Sequence, residues 1–155
     1  MISDAEKKTR ERLERQCARA EYCTSDMRRK AVKLLDGDEE AAARVVDGLV
    51  REGFVDDRRY AGAFVREKSS LQGWGEAKLR YMLSGKGIDR EVIADALTEI
   101  DPEKAAARLD KLVAAKARTL EGDPAARLKL LKFALSRGYD YPSADRAVKA
   151  VLSGE

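Results

Sequence analysis

Arg28-Arg29-Lys30-Ala31-Val32-Lys33-Leu34-Leu35-Asp36-Gly37 returns twice in outline. It comes back as Lys78-Leu79-Arg80-Tyr81-Met82-Leu83-Ser84-Gly85-Lys86-Gly87 and as Lys129-Leu130-Leu131-Lys132-Phe133-Ala134-Leu135-Ser136-Arg137-Gly138. Each stretch is a short basic amphipathic segment closed by a glycine. Each is followed within two residues by an aspartate (Asp38, Asp89, Asp140) and then by another helical pattern. A recurrence at a fixed period of roughly fifty residues marks a repeated supersecondary unit. The question therefore becomes what extended object a row of basic helix pairs binds.

The surroundings of these stretches read as helix throughout. Apolar residues recur at spacings of three and four, as in Val45, Val46, Leu49 and Val50, or Ile93, Ala96, Leu97 and Ile100. Capping signals divide the pattern: Ser25, Asp56-Asp57, Asp89, Asp101-Pro102 and Asp123-Pro124 at starts, and Gly37, Gly53, Gly87 and Gly138 at ends. The predicted helices cover 5–23, 25–36 and 38–52, then 56–71, 75–86 and 89–100, then 102–120, 124–137 and 142–153. The fold class is all-α, built as three tandem three-helix repeats over 1–54, 55–100 and 101–155. Within each, a glycine-containing turn joins the second and third helices, the shape of a helix-turn-helix. Units of this size are marginal alone and gain stability by stacking on neighbours.

Composition narrows the function. Hydrophobic residues make up 44% of the chain and charged ones 38%, above the usual quarter for charge. The net charge is only +3, but it is unevenly distributed. Residues 1–33 carry ten Lys or Arg against six Asp or Glu, and residues 34–65 carry four against eight. Residues 91–103 carry none against five, and residues 104–155 eleven against six. Such alternation collects into basic and acidic surfaces. Cys17 and Cys23 lie six apart on one predicted helical stretch and read as reduced thiols. There is no signal-peptide core near the N-terminus and no long apolar run, which points to a cytoplasmic protein.

An enzyme finds no support. The chain has no histidine, Gly85-Lys86-Gly87 is not a phosphate loop, and no cofactor or metal motif is present. The acid pairs Asp56-Asp57 and Glu39-Glu40 sit at helix starts, where carboxylates cap free amides. The positive signal is the basic middle helix of each unit. Arg28, Arg29, Lys30 and Lys33 lie on the first, Lys78, Arg80 and Lys86 on the second, and Lys129, Lys132 and Arg137 on the third. They are the candidate contacts to filament or DNA phosphates, a salt-sensitive and sequence-independent interaction. The third helices are acidic or neutral and lack the set that reads bases in the major groove. Trp74, between Gly73 and Gly75, reads as a packing anchor ahead of an exposed stacking aromatic.

Gly53-Phe54-Val55-Asp56-Asp57-Arg58-Arg59-Tyr60-Ala61 resembles a signature of the RecX regulatory proteins. Gly75 through Leu83 to Lys86-Gly87-Ile88-Asp89 resembles their central repeat, and Ser136-Arg137-Gly138-Tyr139 their C-terminal one. The likeness implies an elongated, curved array of three three-helix repeats. It implies structural roles for Gly37, Gly53, Phe54, Asp56, Asp57, Tyr60, Gly87, Ile88, Asp89, Gly138 and Tyr139. It also implies binding to RecA and to RecA filaments on DNA, with inhibition of recombinase, ATPase and co-protease activity, and weaker binding to single- or double-stranded DNA. The alternative is an autonomous helix-turn-helix DNA-binding protein, and an α-solenoid adaptor is a third reading. Two departures from the family pattern stand out: a first-repeat turn one residue short at Gly37-Asp38, with Ala41, Ala42 and Ala43 in place of larger residues, and Tyr22 where many members carry histidine.

Overall fold

The computed structural model describes residues 2–154. Among the described residues nine helices follow one another: α1 (Asp4–Cys17), α2 (Thr24–Leu34), α3 (Glu39–Arg51), α4 (Asp57–Ser70), α5 (Glu76–Gly85), α6 (Arg90–Leu97), α7 (Pro102–Arg118), α8 (Ala126–Ser136) and α9 (Tyr141–Leu152). No strand occurs among the described residues. Helices pack on one another chiefly within the triplets α1–α3, α4–α6 and α7–α9. Each triplet surrounds its own core. Leu13, Met27, Val46 and Leu49 centre the first, Val65, Leu79, Leu83 and Ile93 the second, and Leu109, Val113, Leu130 and Val148 the third. The seams do not follow the chain order strictly. Val55 packs into the first core and Cys23 into the second. Ala41 and Ala42 are both buried in the first core.

Most helix starts follow from the capping residues. The side chains of Ser3, Asp38, Asp56, Asp101 and Asp140 each accept hydrogen bonds from amides of the first turn they precede. Three expected caps differ. Ser25 lies inside α2, whose N-cap is Cys23 with no side-chain cap bond, and the Ser25 hydroxyl donates to the Lys86 carbonyl instead. Asp89 occupies the N-cap of α6 without a side-chain bond. Asp123 does not start α8 directly. Its carboxylate accepts from the Ala125 amide and from Lys129 Nζ, and the helix begins at Ala126. α1 stops at Cys17, short of the expected 23, because residues 18–20 turn away toward α2.

The turns between second and third helices share one hydrogen-bond pattern, to which the first adds a second left-handed residue, Gly37 (φ 88°). The residue after each C-cap is left-handed: Asp36 (φ 54°), Gly87 (φ 73°) and Gly138 (φ 98°). The next amide donates to the carbonyl five residues back, Gly37 to Val32, Ile88 to Leu83 and Tyr139 to Ala134. Asp38, Asp89 and Asp140 then cap the third helix positions, equally spaced along the chain. The first turn is therefore not short. Asp36 takes the left-handed place of the glycines, and Gly37 stands where Ile88 and Tyr139 insert buried side chains. Leu35, the C-cap residue of α2, fills the first core in their stead.

Candidate binding surface on the middle helices

The three middle helices meet end to end. At the start of α5, the Gly75 amide donates to the Arg137 carbonyl (2.7 Å) and the Ala77 amide to the Gly138 carbonyl (3.0 Å). At the start of α2, the Thr24 amide donates to Asp57 Oδ1 (2.7 Å) and the Ser25 hydroxyl to the Lys86 carbonyl (2.6 Å). A helix leaves its first amides and last carbonyls without internal partners, and here one end satisfies the next. The dipoles also run head to tail across both joints. Backbone contact at the α5–α8 joint excludes side chains. A Cβ on Gly75 would lie 2.6 Å from the Gly138 carbonyl, and one on Gly138 would lie 2.4 Å from Lys78 Cβ.

This arrangement explains several of the basic residues. Lys86 and Arg137 hold the same C-cap position in successive repeats, and each reaches back to the repeat before it. Lys86 Nζ pairs with Asp26 Oδ2 at 2.9 Å, and Arg137 Nη1 donates to the Gln72 carbonyl at 3.1 Å. Leu35 holds that position in the first repeat. Burial alone would raise the Asp26 carboxyl, but the hydrogen bonds and charge from Lys86 hold it below the ordinary carboxylate range. Lys86 is raised in turn by its hydrogen bond to Asp26.

Other candidates are also occupied. Lys30 donates to Gln16 Oε1 (2.9 Å) and lies 4.3 Å from the centre of the Tyr22 ring. Arg29 pairs with Asp26, Arg80 with Glu76 (2.7 Å) and Lys129 with Asp123 (2.6 Å). Lys78 Nζ lies 4.4 Å from the Trp74 ring centre. Arg28, Lys33 and Lys132 are exposed and form no ion pair among the described residues. The sequence pattern held a signal for the paired ones: Asp26 and Arg29 are three apart, and Glu76 and Arg80 four apart, on the same helices. No sequence signal marked Thr24, Ser25 or Gly75 as joint residues.

The motif residues around Gly53 are architectural. Gly53 is left-handed (φ 79°), and the Phe54 amide closes α3 by donating to the Leu49 carbonyl. Asp56 caps α4, while Asp57 crosses to Thr24. Tyr60 packs against the second core beside Phe64. Tyr139 is buried and its hydroxyl donates to the Gly73 carbonyl at 3.0 Å. Trp74 is half-buried against the second core. Cys17 and Cys23 are unbonded thiols, and burial pushes the Cys17 thiol up. Among the described residues no helix is long and apolar enough to cross a membrane, and no cluster of ligating side chains is able to hold a metal.

Comparison with known proteins places this architecture. The family description "RecX, second three-helix domain" matches residues 56–97. The regulatory protein RecX of Mycobacterium sp. (strain JLS) is 36% identical over 124 residues, covering 76% of this chain and 68% of that protein. The chain belongs to the RecX family. RecX of Clostridium botulinum (strain Alaska E43 / Type E3) is 34% identical over 131 residues, and the match spans 82% of this chain but only 61% of the clostridial protein. Two solved structures share the fold. A regulatory protein RecX superposes with a TM-score of 0.82 at 24% identity, covering 97% of this chain and 72% of that one. RecX from Lactobacillus salivarius superposes with a TM-score of 0.79 at 20% identity, covering 97% and 98%. The RecX match of residues 56–97 coincides with the triplet α4–α6, the one joined to a neighbour at both ends.

Proposed function

We propose that this chain is a cytoplasmic, non-enzymatic regulator that binds RecA and its filaments on DNA. On this reading it restrains recombinase, ATPase and co-protease activity, contacts DNA weakly, and needs no cofactor. The observation that carries the reading is the end-to-end column of middle helices, with unpaired cations Arg28 and Lys33 on α2 and Lys132 on α8. A row of joined, similar units with spaced positive charge suits a helical, phosphate-bearing polymer better than a compact ligand. The third helices open with Asp38-Glu39-Glu40 and Asp89-Arg90-Glu91, which disfavours base reading in a duplex major groove.

Reversing Arg28, Lys33 and Lys132 together to glutamate tests the surface. Affinity for RecA–DNA filaments is expected to fall at least about tenfold and the salt dependence to flatten. Unchanged affinity across a salt series contradicts the assigned surface. Tight sequence-specific duplex binding without RecA would favour the autonomous DNA-binding protein instead.

A further inference from the structure

Three aromatic rings form a connected cluster beside the first joint. Tyr60 and Phe64 lie 5.9 Å apart between centroids, and Phe64 meets Trp74 edge-on at 6.0 Å. With Glu67, Lys68 and residues from the end of the first repeat they line a cavity of about 520 Å³. None of the three rings is fully buried, so their packing leaves part of each face to solvent.

Two lysines stand against the rings, Lys68 in the cavity lining and Lys78 outside it on Trp74. Lys68 Nζ lies 5.3 Å from the Trp74 centroid and 5.9 Å from that of Phe64, and Lys78 Nζ lies 4.4 Å from Trp74. Both lysines are half-buried. Every ion pair among the described residues engages other cations. The other charged groups at the cavity are already spent, Glu21 on Arg59 and Lys86 on Asp26. Glu67 is exposed and forms no ion pair among the described residues. Two ammonium groups thus depend on ring faces alone for compensation, which a true anion would complete.

A cluster of aromatic faces with two uncompensated cations and one free carboxylate matches the parts of a nucleotide. The base stacks on a ring, the phosphate meets the ammonium groups, and the carboxylate accepts from an exocyclic amine. A duplex keeps its bases stacked inside, so only an unpaired base can enter. We infer that the Tyr60–Phe64–Trp74 cavity holds one unstacked base and its phosphate from a single-stranded nucleic acid. This rests on the proposal that the chain works on nucleic-acid filaments, and it adds a strand type and a site to it.

Trp74 is the only tryptophan in the chain, so its fluorescence reports on the cavity. The intact protein is titrated with a mixed-sequence single-stranded 12-mer, the matching duplex and a nucleoside monophosphate. The single strand is expected to quench Trp74 while the duplex at the same concentration does not. Changing Lys68 and Lys78 together to alanine is expected to weaken the response at least about tenfold, with Lys104→Ala, an exposed lysine on α7, leaving it unchanged. Quenching by the monophosphate at concentrations equal to the strand keeps the site but assigns it to free nucleotide. A silent Trp74 while a labelled strand binds by anisotropy overturns the inference and leaves the proposed function standing. Failure of the intact protein to bind RecA–DNA filaments overturns the proposed function itself. Equal quenching by strand and duplex also overturns the inference.

Discussion

Gly87 and Gly138 occupy the same left-handed place in successive turns, yet their surroundings differ. Nothing lies within 4 Å of where a Gly87 side chain would begin, whereas a Cβ on Gly138 would meet the Lys78 Cβ at 2.4 Å and the Lys78 amide nitrogen at 2.6 Å. Gly87→Ala should cost about 1–2 kcal/mol, the penalty of a left-handed L-residue. Gly138→Ala adds a backbone collision at the joint and should cost roughly 3 kcal/mol or more. Urea unfolding of the two variants checks this, and equal losses would mean that the α5–α8 joint is not close-packed. The recurrence of glycine was legible in the sequence, but its alignment was not. The first turn has two left-handed residues, and it is Asp36, not Gly37 (φ 88°), that takes the place of Gly87 and Gly138, while Gly37 aligns with Ile88 and Tyr139. An aspartate tolerates that region by bonding locally with its short polar side chain, so the residue type alone did not reveal it.

At the scale of elements, the helix joints differ in kind. The α5–α8 joint rests on backbone amide-to-carbonyl bonds, whereas the α2–α5 joint relies on Ser25 and the Asp26–Lys86 pair, with Asp57 of α4 holding the Thr24 amide beside it. Asp26 is lowered in the fold, so its contribution to stability is present above the ordinary aspartate pKa of about 3.9 and is lost as pH falls through the lower folded value. Lys86 is raised, so its part is complete below the ordinary lysine pKa of about 10.4 and fades as pH climbs through the higher folded value. Asp26→Asn should therefore lower stability by about 0.5–1 kcal/mol at neutral pH. Thermal melts of both proteins should begin to converge below about pH 4 and meet once pH is below the lowered folded value. A constant gap down to pH 2 would show that the variant acts through packing instead. Helix positions came readily from the three- and four-residue periodicity, and most N-caps from the aspartates. What stayed hidden was the use of helix ends as joints, since Thr24, Ser25 and Gly75 gain their partners only from residues far along the chain.

For the whole molecule, the three-repeat layout and the family were readable before any coordinates, because the motifs recur in order along most of the chain. The binding surface was not. Ten cations stood out on the middle helices, but Lys30, Lys86 and Arg137 hold the fold together, and Arg29, Arg80 and Lys129 are paired locally. Periodicity reports which side of a helix a charge lies on, not whether a carboxylate from another repeat awaits it. That leaves a sparser positive array on a jointed column of helices, which is the basis for reading the chain as a filament regulator. RecA-dependent ATP hydrolysis on single-stranded DNA, measured with and without this protein, tests that reading most directly. The account predicts a rate that falls progressively as the protein is added, with the Arg28, Lys33 and Lys132 charge-reversed protein much less effective. A rate that stays unchanged when the protein is added in molar excess over RecA would contradict it.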